Sequence, residues 1–89
     1  MRIENMTSSR GNRVPNQFRI FADDGVYFQS YSTVIAFKPY GCGKIQLDKN
    51  RWDYSTTTGK YRNLFLGENI AETRAKIKSG EYEVVDLNT

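Results

Sequence analysis

Apolar and polar residues alternate over residues 17–22 (QFRIFA), the two-residue period of a half-buried strand. Asp23-Asp24-Gly25 follows. Asp-Gly suits a tight hairpin turn, because glycine takes positive φ without steric cost and aspartate tolerates it. Residues 26–37 (VYFQSYSTVIAF) predict a second strand running back, with a bulge or bend where Ser30, Ser32 and Thr33 interrupt it. Phe18, Ile20, Val26 and Phe28 are candidates for the core face, and Tyr27 and Tyr31 fall on the other face. Residues 38–43 (KPYGCG) read as a loop by their proline and two glycines. Residues 44–48 (KIQLD) read as a short strand with Ile45 and Leu47 inward.

The period changes in the next stretch, WDYSTTTGKYRNLFLGE over residues 52–68. Ser55, Thr56 or Thr57 can cap a helix by accepting from a free N–H of its first turn. Tyr54, Thr58, Tyr61 and Phe65 then share one helical face, widened by Leu64 and Leu66. Gly67 ends the helix and Gly59 keeps it short. Asn69 with Glu72 three residues on predicts a capping box for a second helix, closed by Gly80. Its apolar stripe is Ile70, Ala71, Ala75 and Ile77. Residues 81–87 (EYEVVDL) predict a final strand. The order β-β-β-α-α-β gives an α+β fold, a small antiparallel sheet with two short helices packed on one face. Residues 1–16 show no periodicity and are rich in Ser, Asn, Arg and Gly. They are expected as a flexible basic arm ahead of a single domain over residues 17–89.

Composition adds a partner class. The net charge of +3 is unevenly spread: +2 over residues 1–17, +4 over 38–62 and −3 over the remainder. Twelve aromatic residues in 89 are enough to fill a small core, and that accounts for most of them. In the basic stretch, however, rings interleave with cations: Lys38, Tyr40, Lys44, Lys49, Arg51, Trp52, Lys60, Tyr61 and Arg62. Phosphates require cations and unpaired bases require flat partners, so this mixture suits single-stranded nucleic acid. The binding candidates are Lys38, Tyr40, Lys44, Lys49, Arg51, Trp52, Lys60 and Arg62. The same charges also read as an ordinary solvated surface. Tyr54, Tyr61 and Phe65 are better placed for core than for contact, and Trp52 fits either role.

Signals for chemistry are weak. The chain has no histidine, hence no common general base near neutral pH and no common metal ligand. Its single cysteine, Cys42, forms no internal disulfide or structural zinc site. Asp48 and Asp53 have no defined geometry as a carboxylate pair, and Asp53 could equally cap the helix. The expectation is therefore no catalytic residue, no metal and no cofactor. No basic-then-apolar leader precedes the domain, and no apolar run reaches the roughly 20 residues of a membrane span. The expected location is the cytoplasm.

Three runs carry a resemblance: NQFRIF…GVYFQSYSTVIAF, KIQLDKNRWDYSTTTGKYRNLFLGE and ETRAKIKSGEYEVVDLN. Over residues 16–88 the chain resembles small uncharacterised proteins found largely in bacteriophages and prophages, whose central motif is W-D-Y-S-x-T-T-x-K-Y-R-x-x-F-L-G-E. The resemblance implies a phage origin and action in an infected bacterial cell, but no activity. Small phage accessory proteins of this kind commonly bind nucleic acid or a host protein. The function expected is non-enzymatic macromolecular binding, nucleic acid ahead of a host protein that the chain would modulate.

Overall fold

The computed structural model describes residues 1–8 and 10–88. Eight elements follow one another: β1 (Arg2–Thr7), β2 (Arg13–Phe21), β3 (Gly25–Ser30), β4 (Thr33–Pro39), β5 (Gln46–Asp48), α1 (Thr56–Leu66), α2 (Ile70–Ser79) and β6 (Glu83–Val85). The six strands form one sheet in sequence order. Neighbours are antiparallel except β5 and β6, which are parallel. Parallel neighbours need a long crossover, and α1 and α2 supply it. The fold is α+β, as the sequence predicts, but the sheet is mixed and has two more strands than expected.

Both extra strands come from hairpins that the apolar alternation does not reveal. The segment expected as a flexible arm forms β1 and the start of β2. β1 pairs with β2 from Arg2↔Phe21 to Thr7↔Arg13, and Met6 is buried. Opposite Met6 the register slips, and Pro15 and Asn16 (φ 66°) fall in the slip. A bulge is where a strand tolerates proline. The second extra strand arises because residues 26–37 break into β3 and β4 at a two-residue turn, Tyr31-Ser32.

The register also decides the faces. Gln17, Arg19 and Phe21 align with Ser30, Phe28 and Val26, and this set faces the helices: Phe28 stacks on Phe65 with centroids 5.6 Å apart, and Ser30 meets Thr58 at 2.9 Å. Phe18 and Ile20, expected in the core with Val26 and Phe28, therefore lie on the other face. There Ile3, Ile20, Tyr27 and Phe37 align in one row across four strands. The principal core joins Met6, Phe28, Ala36 and Leu47 to Tyr61, Phe65 and Tyr82. Gly25 serves close approach rather than positive φ. A Cβ there would lie 2.3 Å from the Lys38 carbonyl oxygen and 2.6 Å from the Phe37 ring.

Local signals set the helices. Ser55 caps α1 by accepting from Thr58 N–H, and Gly67 closes it at φ 72°. Asn69 and Glu72 form the expected capping box of α2. Tyr54 lies outside α1 and is exposed; Thr58, Tyr61 and Phe65 are buried. Between the helices Glu68 accepts from Thr73 Oγ1 (2.6 Å), Lys76 Nζ (2.7 Å) and Tyr82 Oη (2.8 Å). Asp48, at the end of β5, accepts from Leu87 N–H (2.9 Å) and Asn50 N–H (3.2 Å). Burial opposes ionisation of both carboxylates. Hydrogen bonds, led by Lys76 for Glu68 and Leu87 for Asp48, outweigh it and hold both pKa values below the usual range. Burial, then Glu68, pushes the Tyr82 phenol up to about 12.

A depressed carboxylate pKa stabilises the fold fully above the unfolded value, about 4, and ceases to do so as pH falls through the folded value. The urea midpoint is therefore expected to hold between about pH 7 and 5 and to drop below about pH 4. Glu68→Gln should start lower at neutral pH and show a shallower acid limb. An equally steep limb in that variant would show that Glu68 does not govern it.

Candidate nucleic-acid interface

The strand pairing sorts the candidate residues by sheet end. One end carries residues 10–12, the Tyr31-Ser32 turn, the 49–51 turn and the first two turns of α1. It brings together Lys49, Arg51 and Lys60 from the candidate set, and adds Arg10 and Arg13 from the segment expected as an arm. All five cations are exposed and none is in an ion pair among the described residues. The carboxylates nearby are otherwise engaged. Asp48 is buried under backbone donors, and Asp53 pairs with Arg62 (3.3 Å) and Arg74 (3.0 Å). Asp86 remains exposed there and accepts from Asn88 N–H. From β1 to β5 this end is roughly 19 Å wide, four strand spacings of about 4.8 Å.

Two tyrosines stand at the same end. Tyr31 is 56% exposed and Tyr54 45% exposed, and the Arg51 guanidinium lies 5.6 Å from the Tyr54 ring centroid. Tyr31 has φ 57°, at a hairpin position that glycine normally fills. A bulky residue held in the left-handed region is an outlier of the kind that gathers at functional sites. The alternation places Tyr31 on a strand face, whereas it stands exposed in the turn between β3 and β4. The three interrupting polar residues, 30, 32 and 33, were the available signal for the turn.

Two clefts flank this end. One, of about 360 Å³, is polar and lined by Ser32, Thr33, Asp48, Asn50, Arg51, Asp86 and Asn88. Asn88 closes its wall by bonding both the N–H and the C=O of Val34, each at 2.8 Å. The other, of about 490 Å³, lies between α1 and the end of β1 and is lined by Thr7, Ser8, Lys60, Asn63 and Leu64.

The remaining candidates go elsewhere. Lys38, Tyr40 and Lys44 sit at the opposite end of the sheet, with the acidic Asp23-Asp24 turn. Lys38 is half-buried, its ammonium 4.7 Å from the Phe65 ring. Burial, and then Arg19, lower its pKa, with Glu68 opposing. Trp52 is half-buried against the core, and the Arg62 guanidinium lies 5.3 Å from its ring centroid. Arg62 is not a surface cation at all, being 1% exposed. It donates to Trp52 O (2.7 Å), Asp53 Oδ1 (3.3 Å) and Asn63 Oδ1 (3.0 Å). Sequence spacing put Arg62 beside Lys60, but one helical residue on from Tyr61 points inward here. Cys42 is exposed. Among the described residues no group of His, Cys, Asp and Glu could hold a metal ion, and no helix is long and apolar enough to cross a membrane.

Comparison with known proteins gave no match among curated proteins or solved structures. A family match covers residues 1–82, so it takes in β1 and all of β2, which the resemblance over residues 16–88 left partly out. With nearly all its length matched, the chain belongs to the Family of unknown function (DUF8033).

Proposed function

We propose that this domain is a non-catalytic binder of single-stranded nucleic acid and that its contact surface is the basic end of the sheet. The observation that carries the reading is the gathering of Arg10, Arg13, Lys49, Arg51 and Lys60, all exposed, beside the exposed Tyr31 and Tyr54. Cations serve the phosphates and rings stack on unpaired bases. The resemblance to phage and prophage proteins supports an accessory role in the cytoplasm of an infected bacterium.

Fluorescence anisotropy with short labelled DNA oligomers tests this. Binding of single strands should weaken as salt rises from about 50 to 200 mM, with a log–log slope of roughly −2 to −3.5 for three to five phosphate contacts. The Lys49→Ala/Arg51→Ala double variant should reduce that slope by roughly 1.4. Lys44→Ala, at the far end, should leave it unchanged. No binding at low salt to single or double strands would overturn the proposal. Ile3, exposed on the other sheet face beside the half-buried Ile20 and Tyr27, favours the second reading, a host-protein partner, in that outcome.

A further inference from the structure

We infer that the cleft between α1 and the end of β1 seats one unpaired base and favours thymine or uracil over adenine, an inference that rests on the nucleic-acid reading above. Its volume of about 490 Å³ lies within the usual range for small-ligand sites. Its lining combines three chemistries. Lys60 supplies a cation for the flanking phosphate. Leu64, 51% exposed, supplies an apolar wall for the face of a base or for a thymine methyl. Asn63 supplies the polar edge.

The orientation of Asn63 follows from Arg62. A guanidinium has only donors. Arg62 Nη2 lies 3.0 Å from Asn63 Oδ1, so the Asn63 carbonyl is turned to the buried arginine. Arg62 is itself fixed by Trp52 O and Asp53. The amide NH2 of Asn63 is therefore left to face its other surroundings, and it donates to no protein group among the described residues. A fixed donor pair beside an apolar wall selects a ligand edge rich in acceptors. Thymine and uracil carry two ring carbonyls. Adenine offers ring nitrogens and an amino group that is itself a donor. Arg62 thus acts as a positioning residue: it aims Asn63 instead of touching phosphate.

The test compares labelled oligothymidylate with labelled oligoadenylate at low salt. The wild-type protein should prefer oligothymidylate by about fivefold, the worth of one neutral hydrogen bond. Asn63→Ala should bring the two affinities together while salt-dependent binding persists, with circular dichroism confirming the fold. Leu64→Ser, at an exposed position that the fold does not require, should also narrow the preference and carries the test if Asn63→Ala fails to fold. Equal binding of both oligomers by the wild type, or an undiminished preference in both variants, would overturn the base site and leave the nucleic-acid reading standing. Absence of binding to either oligomer would overturn both.

Discussion

Arg62→Ala is expected to lower the unfolding free energy by about 3 kcal/mol. In a domain of this size that is a fall of roughly 12 °C or more in Tm. The side chain is enclosed, and its guanidinium serves three acceptors and one ring. Truncation leaves the Trp52 carbonyl without this donor, removes the cation from the Trp52 ring and opens a void the length of the side chain. Asp53 loses least, since it is partly exposed and keeps Arg74 at 3.0 Å. Hydrogen bonds from a charged donor are each worth about 1.5–3 kcal/mol. Arg62→Lys keeps the charge but not the planar fork, so it should recover less than half the loss. A thermal melt followed by circular dichroism reads the result. A variant with wild-type Tm and weakened oligonucleotide binding would put Arg62 on the contact surface beside Lys60.

Phe28→Ala should cost about 4 kcal/mol, the largest loss expected for a single core truncation here. Phe28 is fully buried in a central strand, and its ring stacks on Phe65 at an interplanar angle of 27°. It is the principal joint between sheet and α1, so the void would open where the helix is held. The helix also carries Lys60, Asn63 and Leu64, and loosening it should weaken the proposed base site. Phe28→Leu should recover most of the stability, because it refills much of the volume. Urea titration gives the value, and an unchanged m would show that the unfolded state is not altered. A loss under about 1 kcal/mol would place the joint elsewhere.

What the chain wrote locally, it wrote clearly. Ser55 before Thr58, Asn69 before Glu72, and Gly67 and Gly80 after the last turns are each decided within about one helical turn, by orphan backbone groups that need a nearby side chain or a positive φ. The strand alternation of residues 17–22 was equally visible. Which face it buried was not, because a period of two marks alternation and leaves the register to the partner strand. Pairing Arg19 with Phe28 sent Phe18 and Ile20 away from the helices.

The candidate site divides the same way. Composition alone made residues 38–62 basic and aromatic. Only the folded sheet sent Lys38, Tyr40 and Lys44 to one end and Lys49, Arg51 and Lys60 to the other. It also brought in Arg10 and Arg13, and it buried Arg62. β1 was illegible because its stability lies in backbone pairing with residues up to 19 positions away and in one buried side chain, Met6. Sequence therefore determined the helices, their caps, the α+β class and the kinds of residue available for binding. Tertiary structure decided strand partners, faces and which charges share a surface, since those depend on contacts between residues that are distant along the chain.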